Sequence, residues 1–148
     1  MIKQISANEK DIIDKLIKIE FEAFGEGGLN EWTLLPIIRH GKVFYIEENN
    51  QIIGSAQFML DWEDHTRTYL IGVSIAKEFH GKGYGTSLLK KSISSLCEEG
   101  IKVIELTVDP ENKPAIAIYE RKLGFAVREI RNDEYGKGIH RLLMEKYL

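Results

Sequence analysis

The sequence predicts a mixed α+β fold, a mixed sheet with helices on both faces, on three observations. Strand-like runs dominate the first half. From about residue 81 strands and helices alternate. No repeat, low-complexity tract or Pro/Gly/Ser linker divides the 148 residues, so one domain over residues 1–148 is expected.

Composition narrows the class. Hydrophobic residues at 43% and charged residues at 29% match globular averages, and a chain of this length buries roughly 70% of its extended surface. A net charge of −3 gives no overall pull towards nucleic acid or anionic membrane. No apolar run approaches the ~18 residues of a membrane span, and the first residues lack the apolar centre of a signal peptide. One cysteine, Cys97, excludes an internal disulfide framework and a cysteine-rich zinc site. A soluble cytoplasmic protein with no nucleic-acid or membrane partner is expected.

The elements follow in order. Residues 2–6 read as a first strand, and Asn8 as the N-cap of a helix over 9–24, where Ile12, Ile13, Leu16, Ile17, Glu20 and Phe24 recur at helical spacing. Gly25, Gly27 and Gly28 end it. Asn30 caps a second helix to Ile38. Strands 43–47 and 52–60 flank a polar turn whose Asn49 and Asn50 tolerate left-handed angles. A third antiparallel partner runs from about 67 to 75. A glycine turn over 81–85 then feeds a helix with Leu88, Leu89, Ile93, Leu96 and Cys97 on its apolar side, closed by Gly100. Strand 101–108 places Val103, Glu105 and Thr107 on one face. Helix 113–123 stops at Gly124, strand 125–130 follows, and 139–147 forms the last strand.

The stretch VSIAKEFHGKGYGTSLLKK carries the strongest chemical signal. A strand enters a turn holding Gly81, Gly83 and Gly85, and a helix leaves it. Backbone N–H groups can converge there, and the helix start adds about half a positive charge, a combination suited to phosphate. There is no GxxxxGK[ST], and the GxGxG spacing mid-chain after antiparallel strands does not suit a dinucleotide fingerprint.

His80-Gly81-Lys82-Gly83-Tyr84-Gly85 resembles the phosphate-loop signature of the GCN5-related N-acetyltransferase (GNAT) superfamily, with His80 where the family carries Arg or Gln. Asn112, Ala115, Tyr119, Gly124 and Phe125 match the family's Asn-x-x-Ala-x-x-x-Tyr…Gly-Phe block at the usual distance downstream. The resemblance implies the GNAT fold, a central, mostly antiparallel mixed sheet of about seven strands with helices on both faces. It implies acetyl-coenzyme A as co-substrate, no metal, and an amine acceptor, with a homodimer left open. By this resemblance Gly81, Lys82, Gly83, Tyr84, Gly85 and Thr86 bind the diphosphate, and Val73, Ser74 and Ile75 pair with the pantetheine arm as with an added strand. Asn112 and Tyr119 meet the cofactor near the thioester. His80 joins this set or is a plain surface histidine.

The implied reaction is direct attack by a primary amine in a ternary complex. A lysine-like amine of pKa ~10.4 is only about one part in a few thousand neutral at pH 7, a cost of roughly 4–5 kcal/mol that a base offsets. Tyr119 resembles the tyrosine that meets the leaving thiolate. A phenol at ~10 is a weaker acid than a thiol at ~8.5, so full proton transfer runs uphill by about 2 kcal/mol and a hydrogen bond is the expected role. Several relatives carry a glutamate five residues before the motif asparagine. Thr107 stands there and cannot act as a base. Glu105, on the same strand face, is the first substitute and Glu26 the second, with a water chain as a third route. Two other readings stand beside this one: a non-catalytic acyl-coenzyme A sensor, and transfer of a different acyl group.

The remaining chemistry-bearing residues read as structural. Residues 61–65 are a polar strand connector or a lining of the acceptor site. Trp32 and Trp62 read as core or interface, with a substrate pocket as the alternative, and Cys97 as core.

Overall fold

The structure, a computed structural model, describes residues 1–148. It contains one seven-stranded sheet of order β1-β2-β3-β4-β5-β7-β6. The strands are β1 Ile2–Gln4, β2 Lys42–Glu48, β3 Gln51–Leu60, β4 Arg67–Ile75, β5 Val103–Val108, β6 Ala126–Arg131 and β7 Arg141–Tyr147. The helices are α1 Lys10–Phe24, α2 Glu31–His40, α3 Tyr84–Glu98 and α4 Lys113–Ala117. β4 runs parallel to β5, and the other neighbours are antiparallel. For β3 and β4 the direction follows from Ala76 N donating to Ile53 O at 2.7 Å and Asp61 N donating to Arg67 O at 3.1 Å. The β4–β5 register covers Arg67↔Val103, Thr68↔Ile104 and Tyr69↔Glu105 and ends there. No helix is long and apolar enough to cross a membrane.

The chain divides into two compact units, with breaks inside β3 after Met59, inside β4 after Tyr69 and inside α3 after Ser92. The first comprises Met1–Met59 and Leu70–Ser92. Its core gathers Ile5, Ile13, Leu16, Leu34, Ile38, Val43 and Tyr45, so the 3.6-residue stripe of α1 and the alternate residues of β2 meet as their periods require. Asn30 closes a capping box with Thr33 at the start of α2. Asn49 and Asn50, at φ +50° and +61°, form the tight turn of the β2–β3 hairpin. α1 starts differently from expectation. Its N-cap is Glu9, whose carboxylate accepts the Ser6 main-chain N–H at 2.8 Å. Asn8 is drawn away instead, its Oδ1 accepting from the Ser6 hydroxyl.

The second unit comprises Leu60–Tyr69 and Ile93–Leu148. β5 is paired along its length with β7, from Val103↔Tyr147 to Val108↔Leu142, so the last strand inserts between β5 and β6. Two expectations need correction here, and for Trp62 exposure excludes the core reading alone. The helix expected over 113–123 is α-helical only to Ala117 and continues as a π-helical turn over Ile118–Lys122, with Leu123 N donating to Ile118 O at 3.2 Å. Cys97 is exposed. It lies about 110° round the helix from the centre of the stripe formed by Leu88, Leu89, Ser92, Ile93 and Leu96, and Ser92 takes the buried place, its hydroxyl donating to Leu88 O at 2.7 Å. Trp62 is 92% exposed, at the tip of a turn that Asp61 holds by accepting the N–H groups of Glu63 and Asp64. In the first unit Trp32 is likewise exposed, at 82%.

Glu105 and Glu145 lie directly opposite on β5 and β7, a like-charge pairing that a sheet disfavours. The Arg67 guanidinium bridges them, with Nη2 at 3.2 Å from Glu105 and 2.9 Å from Glu145. These bonds, the one to Glu145 foremost, hold the arginine even more firmly charged than usual. Arg67→Met is expected to leave two half-buried carboxylates facing each other and to cost about 1–3 kcal/mol, less than the loss of one partner from a fully buried pair. Urea unfolding at pH 7 measures this, and a stability equal to that of the unmodified chain would refute it.

Candidate active site

The segment after β4 is built as an anion cradle. A single 3-10 turn, Lys77–Phe79, follows the strand, and the ring of His80 folds back so that its Nε2–H donates to Ile75 O at 2.6 Å. Gly81 and Gly83 adopt φ +73° and +82°, where a Cβ is strained. Gly85 lies inside the first turn of α3 with ordinary angles, so two of the three glycines serve the turn itself. The first main-chain bond of α3 runs from Ser87 N to Gly83 O at 3.0 Å. The N–H groups of Gly81, Lys82, Gly83, Tyr84, Gly85 and Thr86 therefore meet no main-chain carbonyl. No acidic residue occupies the first turn of α3, and the Lys82 ammonium sits over the Phe79 ring at 5.7 Å. The Tyr84 hydroxyl is tied to the Glu48 carboxylate, which raises that phenol above its ordinary value. Donors without acceptors, left-handed glycines and a positive helix end fit a diphosphate.

Before this loop, Val73 and Ile75 are half-buried, and Ser74 is buried with its hydroxyl donating to Glu20 at 2.9 Å. Glu20 also accepts the Leu29 N–H at 3.2 Å. Glu26 is exposed on the 3-10 turn Gly25–Gly27.

In the second unit Asn112 caps α4, its Oδ1 accepting Ala115 N–H at 3.3 Å. Tyr119 lies in the π-helical turn and packs edge-on against Phe125, centroids 5.8 Å apart. Burial pushes its phenol above the usual range, and Arg141 opposes this. Thr107 is a hydrogen-bond hub. Its Oγ1 lies 3.0 Å from the Tyr69 hydroxyl and 3.3 Å from Arg141 Nε. Its main-chain carbonyl accepts Arg141 Nη2 at 2.9 Å. Arg141 also covers the Tyr135 ring at 5.7 Å. Glu105, by contrast, is committed to Arg67.

The model of the acetyltransferase (GNAT) family matches residues 10–125. The chain belongs to this family. This GNAT chain is 26% identical over 149 aligned residues to an N-alpha-acetyltransferase of Saccharolobus solfataricus, covering 93% of this chain and 89% of that one. It is 32% identical over 91 residues to an uncharacterised N-acetyltransferase of Methanocaldococcus jannaschii, covering 59% of this chain and 40% of the relative. This chain therefore spans less than half the length of that relative. Among solved structures it resembles Ard1 from Thermoplasma volcanium, with TM-score 0.85 and 17% identity over 100% of this chain and 97% of that one. It also resembles a Bacillus subtilis acetyltransferase solved in complex with CoA, with TM-score 0.77 and 12% identity over 99% and 97%. The GNAT fold expected from the two motifs is thus the fold observed.

Several residues of this GNAT chain escaped the sequence reading. Tyr69 and Arg141 converge on Thr107, and Tyr135 lies under the Arg141 guanidinium, through pairings distant in sequence that nothing local announces. Glu20 did carry a signal, a carboxylate on the apolar stripe of α1.

Four tyrosines of this GNAT chain, Tyr45, Tyr69, Tyr84 and Tyr119, are held above the ordinary phenol value. Burial is the leading cause for three, and the bond to Glu48 for Tyr84. An acid raised in the folded state stabilises it fully below the unfolded value of ~10, and that contribution is lost as pH rises through the folded values. Urea titrations are expected to show stability falling once pH exceeds about 10 and a shallower fall for Tyr119→Phe. An equally steep fall in that variant would contradict the assignment.

Proposed function

We propose that this chain transfers an acetyl group from acetyl-coenzyme A to a primary amine by direct attack, with residues 1–148 acting as one catalytic domain. One observation carries the reading: the run of unpartnered N–H groups from Gly81 to Thr86, at an acid-free helix start and shaped by two left-handed glycines. These groups hold the diphosphate. Val73, Ser74 and Ile75 lie past the end of the β4–β5 register and offer main chain to the pantetheine arm. When bound, the co-substrate supplies the activated thioester. His80 fixes the loop to the end of β4 through Ile75 O, and Asn112 holds the start of α4 while keeping its amide N–H groups free for the cofactor.

Tyr119 stabilises the departing thiolate with a hydrogen bond. Its raised phenol makes full proton donation still less favourable than for an ordinary tyrosine and keeps the hydroxyl protonated across the physiological range. Of the two carboxylates considered for the amine proton, Glu105 is bound to Arg67, whereas Glu26 is exposed. We therefore assign the proton to Glu26, acting through solvent.

Calorimetry with coenzyme A, followed by release of free coenzyme A from acetyl-coenzyme A across a panel of primary amines, tests the proposal. Heat on binding together with amine-dependent release is expected. Binding with no amine dependence across the panel would favour the non-catalytic sensor, and no heat on titration would overturn both readings.

A further inference from the structure

Arg141 is a half-buried cation that the chain leaves without a counter-charge. In the same unit Arg67 is neutralised by Glu105 and Glu145, and Arg131 by Glu129 and Glu134. Arg141 stands directly opposite Arg131 in the β6–β7 register, a like-charge pairing that a sheet disfavours. The glutamates of these strands are committed elsewhere, and no carboxylate of the chain pairs with Arg141. Withdrawing a charge from water without a partner is costly, which points to an anion that arrives from outside the chain.

The geometry shows which part of the guanidinium is left for that anion. Nε donates to Thr107 Oγ1 at 3.3 Å and Nη2 to Thr107 O at 2.9 Å, so a single residue takes one edge of the planar fork. The Tyr135 ring covers a face, its centroid 5.7 Å from Cζ. The outer edge, formed by Nη1 and the second N–H of Nη2, has no partner in the chain. Such an edge matches the two oxygens of a carboxylate. The group that shares Thr107 with Arg141 is a neutral hydroxyl, that of Tyr69, 3.0 Å from Thr107 Oγ1. Burial pushes that phenol up, so it adds no negative charge at neutral pH. One guanidinium is balanced by one carboxylate, whereas a phosphate group near its dianionic form exceeds it.

We infer that the free edge of Arg141 binds a carboxylate carried by the acceptor amine. The substrate class is then a molecule with an amine and a carboxylate together, either a free amino acid or a peptide whose first side chain is acidic. The inference rests on the acetyl-transfer reading. Arg141 acts on Tyr119, where its charge opposes the effect of burial, so an anion on the free edge lies within electrostatic reach of the phenol assigned to the departing thiolate. A purely structural Arg141, tying β7 to β5 through Thr107, accounts for one edge and leaves the other edge and the charge unexplained.

The test uses the intact chain at pH 7 in two measurements. In the first, the chain is isotope-labelled at arginine and titrated separately with sodium butyrate, butyramide and inorganic phosphate, while NMR reads the Arg141 Nε–H. Butyrate is expected to shift that signal and to bind about tenfold more tightly than butyramide, the added worth of a charge-assisted bond. An unmoved signal, equal binding of butyramide, or tighter binding of phosphate overturns the carboxylate site. In the second, release of coenzyme A from acetyl-coenzyme A is followed with glycine, β-alanine and 4-aminobutanoate, each against its amide, and with amidated Asp-Ala against amidated Asn-Ala. A kcat/KM about tenfold higher for the acid is expected in one arm, the first three pairs identifying a free amino acid and the last an acidic peptide. Arg141→Gln is expected to bring that acid-to-amide ratio to about one, with circular dichroism as the folding control. The wild-type comparisons stand even if the variant fails to fold. Acetylation of acids and amides at equal rates sinks this inference alone, whereas no release with any amine sinks the acetyl-transfer reading and leaves the NMR ranking to judge the site.

Discussion

Gly83→Val is expected to weaken coenzyme A binding about a hundredfold, equivalent to ~2.7 kcal/mol, or one to two charge-assisted hydrogen bonds. The cause is backbone geometry. A Cβ at position 83 would meet nothing within 4 Å, so there is room for a side chain. The φ of +82° is the obstacle. A left-handed angle costs a non-glycine residue roughly 1–2 kcal/mol, and a β-branched residue fares worst. The loop relieves that strain by turning its peptide planes, and the N–H groups from Gly81 to Thr86 then no longer converge. Gly85→Ala is the instructive contrast. Gly85 has ordinary helical angles, and its added Cβ would rest 3.6 Å from Ile75 Cγ1, a normal contact. That variant keeps the fold, so any loss of affinity it shows measures how closely the diphosphate approaches the helix. Calorimetry on both variants, with circular dichroism as the folding control, decides the matter. Undiminished affinity in a folded Gly83→Val protein would remove the loop from cofactor binding.

The second large effect falls on turnover. Tyr119→Phe is expected to lower kcat about 10²–10³-fold, the range for losing one preorganised donor to a developing negative charge. KM for acetyl-coenzyme A is expected to change by no more than about twofold, because the bond forms mainly in the transition state. The ring contact with Phe125 does not involve the hydroxyl, so the variant keeps its packing. Because burial raises the phenol, the variant and the parent are expected to share the same pH profile below about 9 while differing in height. A Tyr119→Phe enzyme with parental kcat would place the tyrosine in the core and outside the chemistry.

These effects depend on features of unequal legibility. Local chemistry was readable. Asn30 sits three residues before Thr33 and caps as such a residue should, and Asn49-Asn50 supplies the positive angles that a tight hairpin demands. Both outcomes are decided within four residues. The Asn8 cap failed because Ser6 and Glu9 are competing partners at equally short range. Position 97 was misplaced by a single step of helical rotation, where cysteine and serine exchanged the sides that hydropathy assigns them. The π-turn holding Tyr119 adds one residue to a helical ring and leaves no mark in hydrophobic spacing. The salt-bridged trio of Arg67, Glu105 and Glu145 depends on β7 inserting between β5 and β6, a register no local pattern contains. The two family motifs point to the loop and to Tyr119, whereas the environment of Thr107 appears only once distant strands are brought together.

Cys97 lies on the outer side of α3 and is the chain's one sulfhydryl. A colorimetric reagent that counts liberated thiols will therefore register one equivalent from every enzyme molecule before any turnover begins. Changing this residue to serine silences that offset, and the unaltered chain offers a single defined point at which a dye or a surface tether can be attached.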